Sequence, residues 1–91
     1  MTVTIEVTFL GGIGQITILI FNGGQQVGSP LDFTETGSQD VNLSQGAYVV
    51  SVSGNSAPAG TNLVINKHTT PPTPDHYDAG PVGQMYSLNI F

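Results

Sequence analysis

Polar and apolar residues alternate strictly from Thr2 to Phe9. Val3, Ile5, Val7 and Phe9 share one face of an extended chain; Thr2, Thr4, Glu6 and Thr8 share the other. A period of two marks a strand with one face buried. Gly11-Gly12-Ile13-Gly14 interrupts the pattern. The run Gln15 to Phe21 is β-branched and almost wholly apolar, which predicts a central strand with Ile16, Ile18 and Ile20 inward. Asn22-Gly23-Gly24 follows at once. Asn-Gly supplies the positive φ angles of a tight hairpin turn, leading into Gln25-Gln26-Val27. Pro30 ends or offsets that strand.

Leu31 to Thr34 and Asp40 to Leu43 read as short strands. Ser44-Gln45-Gly46 is a tight turn into a second strong strand, Ala47 to Ser53. There Tyr48, Val50 and Val52 face one way, and Val49 and the two serines the other. Gly54 is expected to stop it. Asn62 to Asn66 is a further strand. Residues 67–83 then read as a long loop holding four of the six prolines and both histidines. Gln84 to Phe91 alternates again, with Tyr86, Leu88 and Ile90 on one face.

No window of a dozen residues carries a 3.6-residue period free of glycine, proline or β-branched residues, so no helix is predicted. The expected fold is all-β. It is a single antiparallel Greek-key β-sandwich of about seven strands spanning residues 1–91.

Composition narrows the function classes. Charged residues make up 8% of the chain, with one lysine, no arginine and six acids, for a net charge of -5. Phosphate binding needs clustered Lys and Arg, so nucleic acid is excluded as an expected partner. An anionic membrane surface is excluded on the same ground. The longest apolar run, Ile16 to Phe21, is too short to cross a bilayer. With no cysteine there is neither a disulfide nor a cysteine zinc motif, and stability rests on packing and turns. Met1 leads into the first strand without a basic and then apolar leader. That pattern fits a protein that stays inside or one whose leader has been removed. Low charge with abundant Thr, Asn, Gly and Ser tilts the expectation toward an extracellular or surface module.

The segment Val41 to Val52 has the form Leu-x-x-Gly-x-Tyr-x-Val-x-Val, and an Ile-rich strand ending in Asn-Gly-Gly precedes it by about one hairpin. Over residues 14–66 these features resemble the prealbumin-like sandwiches: transthyretin, carboxypeptidase regulatory-like domains and collagen-adhesin B-type repeats. The resemblance implies a prealbumin-like or immunoglobulin-like sandwich with an accessory, adhesive or structural role, usually extracellular and non-catalytic. The motif has a structural cause. Gly46 supplies corner geometry, Tyr48 buries its ring and returns its hydroxyl to nearby backbone, and Leu43 closes the other side. The family's functional residues do not carry over. No charges match transthyretin's hormone channel. The first-strand lysine of isopeptide-forming repeats is missing, since Lys67 lies far downstream.

Chemistry is sparse. There is no Gly-x-Ser-x-Gly elbow, and Gly11 to Gly14 lacks the lysine and helix of a phosphate cradle. Asp32, Glu35 and Asp40 share a turn-rich segment but lack the spacing of a calcium loop, so solvated turn acids are the simpler account. The segment His68 to Gly83 carries the densest set of functional groups. His76 and Asp78 are two apart, which points both the same way on an extended chain. With His68 they make a candidate metal site; Asp75, His76, Tyr77 and Asp78 make a candidate sugar or peptide platform. The plain alternative is a proline-stiffened surface crossing. Asn42-Leu43-Ser44 matches the N-glycosylation sequon.

The leading expectation is a non-enzymatic interaction or structural module that needs no cofactor. It binds a protein partner or self-associates through the terminal strands Thr2–Phe9 and Gln84–Phe91, whose few charges leave an edge unprotected. The alternative is a small carbohydrate-binding or metal-stabilised domain using the 68–83 loop.

Overall fold

The computed structural model describes all residues, 1–91, as an all-β sandwich of two antiparallel sheets. The strands are β1 (Thr2–Phe9), β2 (Gln15–Asn22), β3 (Gln25–Gln26), β4 (Leu31–Phe33), β5 (Gly37–Asn42), β6 (Gly46–Ser56), β7 (Thr61–Ile65), β8 (Thr69–Thr70), β9 (Asp75–Tyr77) and β10 (Gly80–Ile90). Sheet A has the order β5-β1-β7-β9. Sheet B has the order β3-β2-β6-β10-β8, with β4 also paired to β2.

The period-two pattern sets which side chains go dry. Val3, Ile5 and Val7 of β1 and Leu63 of β7 are wholly buried, and they meet Ile16, Ile18, Val50, Val52, Tyr86 and Leu88 from sheet B. Each such side chain contributes about 1.5–3 kcal/mol by leaving water. This one core of nineteen apolar residues spans both sheets.

Turn chemistry departs from the expected detail in one place. The β2–β3 hairpin is centred on Gly23 and Gly24, at φ +59° and +83°, while Asn22 remains in the ladder opposite Gln25. Two glycines take both positive angles without a steric cost. Gly54 does not end its strand either. It lies within β6, opposite Ile16 on one side and Val82 on the other. A Cβ there would collide with the Gln15 backbone carbonyl, so glycine allows two backbones to approach.

Residues 67–83 are not a plain loop. They contain β8, β9 and the first residues of β10. The Thr73 hydroxyl donates to the Ile65 carbonyl and accepts the Ile65 N–H, both at 3.1 Å, standing in for a neighbouring strand beyond the end of β9.

Of the two terminal strands, β1 is not the free edge that its composition suggested, whereas β10 is covered on its second side only at Ser87 and Leu88. β1 lies inside sheet A, hydrogen-bonded to β5 and β7. β10 is paired to β6 along its length and to β8 at Ser87 and Leu88. Pro71 follows β8 directly and has no N–H with which to extend that pairing. Pro81 sits in the open part of β10, and proline at such positions blunts strand addition.

Candidate interaction surface

The 68–83 segment was the leading sequence candidate, and the structure distributes its residues. Asp75, Tyr77 and Tyr86 form a hydrogen-bonded chain at the side of the sandwich. The Tyr86 hydroxyl donates to Asp75 Oδ2 at 2.7 Å. Its only proton is then committed, so the Tyr77 hydroxyl donates to the Tyr86 oxygen. Asp75 Oδ1 accepts the His76 N–H at 2.9 Å. Burial holds the Tyr77 phenol up to about 12, and the Asp75 charge raises it further. Burial also raises the Tyr86 phenol, and its bond to Asp75 adds to the effect. Both phenols stay neutral at ordinary pH, and the cluster works as a polar clasp between β9 and β10.

His76 points to the outer face of sheet A. Its Nδ1 pairs with Asn62 Oδ1 at 2.7 Å, and its Nε2 lies 3.8 Å from Asp78 Oδ1. The two residues do share a side, as their spacing predicts. The imidazole also occupies the space over Gly60 that a side chain there would fill. His68 is exposed in the β7–β8 connection, and no three His, Asp or Glu side chains gather to hold a metal ion. Of the turn acids, Asp32 accepts the Thr17 hydroxyl at 2.8 Å and Asp40 accepts the Thr4 hydroxyl at 2.7 Å. Asp32 and Glu35 border a shallow polar depression of about 220 Å³.

The corner at residues 43–48 has the expected form. Leu43 is buried, and the Tyr48 hydroxyl donates to the Ser44 carbonyl at 2.8 Å. Gly46 has φ +156°, at the extended border of the positive region. Asn42 of the sequon is exposed on β5, and its Oδ1 accepts the Thr2 hydroxyl at 3.0 Å.

The largest opening lies elsewhere. A valley of about 570 Å³ runs over β6 on the outer face of sheet B. Ala47 and Val49 floor it. Phe21 with Gly23 and Gly24 forms one wall; Met85, Ser87 and Asn89 form the other. None of the lining residues is charged. The cross-strand register builds it, because Phe21 stands opposite Val49 and Val49 opposite Ser87. Val49 and Met85 are exposed, and Phe91 follows them on the outward side of the β10 alternation. Its apolar residues come from three strands distant in sequence, so only their shared outward parity, combined with the strand order, reveals them.

The opposite face is different in kind. The outward residues of β1 and β5 include Glu6 and Asp40 among threonines, serine and asparagine. The outer face of sheet A is thus polar and acidic, while that of sheet B carries an apolar valley among serines, threonines and asparagines.

No family model matches the chain, and no match was found among curated proteins or solved structures.

Proposed function

We propose that the chain is a non-enzymatic interaction module that binds a protein partner through the outer face of sheet B. The observation that carries this reading is the charge-free valley over β6, walled by Phe21 and Met85. Single exposed apolar residues are ordinary on protein surfaces, but a contiguous set across three strands marks a contact surface. Methionine in the wall suits such a role, since its flexible thioether adapts to different partners.

The occupant is an apolar, uncharged or basic protein segment lying along β6. An apolar lining offers nothing to a buried charge, and the net charge of -5 carried elsewhere repels anionic surfaces. The resemblance to prealbumin-like sandwiches supports the same accessory or adhesive role.

Selection from a displayed random peptide library tests this. Recovered peptides should be rich in aliphatic and aromatic residues and poor in acids. Their amide-shift footprint should fall on Phe21, Val49 and Met85. Val49→Glu should weaken them by about tenfold or more, because a carboxylate would be desolvated against an apolar ligand. Binders indifferent to Val49→Glu would sink the reading, as would a hydrolase activity lost on His76→Ala.

A further inference from the structure

We infer that the free edge of β5 is a second interaction surface, one that accepts an extended, basic strand from another protein. This goes beyond the proposed role of sheet B and rests on a different part of the molecule.

The argument begins with backbone parity. The Thr4 N–H donates to Asn66 Oδ1 at 2.9 Å, and the Thr4 carbonyl accepts the Asn66 N–H at 3.1 Å. Thr4 therefore turns its backbone polar groups toward the β7 side. In an antiparallel ladder the N–H and C=O of one residue point the same way, and successive residues alternate. Val3, Ile5 and Val7 accordingly serve β5, where they oppose Val41, Gln39 and Gly37. The Leu43 N–H, which donates to the Met1 carbonyl at 2.9 Å, agrees with this parity.

Ser38, Asp40 and Asn42 are left with their N–H and C=O directed outward. None of these backbone groups has a partner from another strand or a side chain. Several other edges are partly obstructed. The Thr73 hydroxyl caps β7 beyond β9, the Gln39 side chain caps the Asp32 carbonyl of β4 at 2.8 Å, and Pro81 blunts β10. The β5 edge has no proline, no lysine and no side-chain cap. It is also a full six residues long.

The side chains around it select the occupant. The outward face of this edge carries Asp40, and Glu6 lies next to it on β1, opposite Ser38. A basic side chain on an added strand gains from these charges. A second copy of this chain, paired antiparallel about Asp40, would place two aspartates opposite each other, which is unfavourable. On the core side, Val41 of β5 and Val27 and Leu31 beside the neighbouring edge of sheet B are only partly buried. Alternate apolar residues of an added strand would cover them. The occupant is thus a strand with apolar residues on one face and lysine or arginine on the other, held as in known strand-addition complexes.

The probe is a synthetic peptide of about seven residues. Valines occupy its core-facing positions; threonines flank a central lysine on the other face. The expected result is a shift and slowed exchange of the Ser38, Asp40 and Asn42 amides. A glutamate version should bind about two- to five-fold more weakly at low salt. That gap should shrink in Asp40→Asn and at high ionic strength. Asp40→Pro removes the central outward N–H and leaves the β1 ladder, built on Gln39 and Val41, in place, so it should abolish binding. If Asp40→Pro does not fold, a peptide N-methylated on its β5-facing amides makes the same comparison against the native protein. A peptide footprint confined to Phe21, Val49 and Met85 overturns this inference while leaving the sheet B reading intact. Absence of any β5 footprint overturns it too. So does protection of the β5 amides in peptide-free protein that runs as a dimer.

Discussion

The Tyr48 hydroxyl donates to the Ser44 carbonyl at 2.8 Å, tying the start of β6 to the turn four residues before it. The ring is buried while Ser44 is exposed, so the bond joins core to surface. Tyr48→Phe keeps the packing and removes only the bond. The freed Ser44 carbonyl can reach water, so the cost should be about 1 kcal/mol. For a domain of this size that is a fall in Tm of roughly 4–8 °C. Denaturant titration should show a lower midpoint with an unchanged slope.

Gly54 and Gly23 both have positive φ, at +136° and +59°, yet they should respond differently to alanine. At Gly54 the added Cβ strikes the Gln15 carbonyl, which is backbone and cannot swing away. At Gly23 it meets nothing within 4 Å, leaving only the strain of the left-handed conformation. Gly23→Ala should cost about 1–2 kcal/mol. Gly54→Ala should exceed 3 kcal/mol or prevent folding, since it combines strain with a clash between paired strands. Parallel urea melts of the two variants check the ordering; equal losses would contradict it.

The long strands were legible because burial on one face writes itself into the sequence. Thr2–Phe9 and the Ile16, Ile18, Ile20 series could be assigned inward from periodicity alone. Gly54 reads as a stop in the sequence because a glycine inside a strand looks like one. Its cause is a backbone approach from Gln15, a residue nearly forty positions away. β8 and β9 are not legible in the sequence because strands of two and three residues are too short to show a period. Part of their hydrogen bonding, such as the Thr73 cap on Ile65, comes from side chains. The candidate surface was hidden for a related reason. Val49 was assigned outward, but Phe21 and Met85 become its neighbours only once β2, β6 and β10 are known to lie side by side.

Val49 and Val50 give a direct test of which face is which. They are adjacent in β6; Val49 is 38% exposed and Val50 is fully buried. Val49→Glu should change stability by no more than about 0.5 kcal/mol, as for other surface substitutions. Val50→Glu would place a carboxylate without a partner in the core and should unfold the domain. Circular dichroism and thermal melts of the pair decide the matter. A stable Val50→Glu protein would mean that the register of β6 is shifted by one residue.

The chain from Tyr77 to Tyr86 to Asp75 predicts an alkaline limit to stability. Burial is the main reason that both phenols resist ionisation, and the Asp75 carboxylate adds to it by disfavouring a second negative charge nearby. Unfolded tyrosines release their protons near pH 10, whereas Tyr77 in the fold holds its proton up to about 12 and Tyr86 also holds on. Above pH about 10 the unfolded state therefore binds fewer protons than the native state, and stability falls as pH rises. Below that value these groups add no pH dependence. The Tyr77 share of the loss should be complete above about 12, with Tyr86 still contributing. Tyr86→Phe leaves Asp75 Oδ2 without its donor, so it should lower Tm at neutral pH yet flatten the alkaline decline. Melting temperature measured against pH for the native protein, Tyr77→Phe and Tyr86→Phe provides the check. Three parallel curves would show that neither phenol titrates differently in the fold.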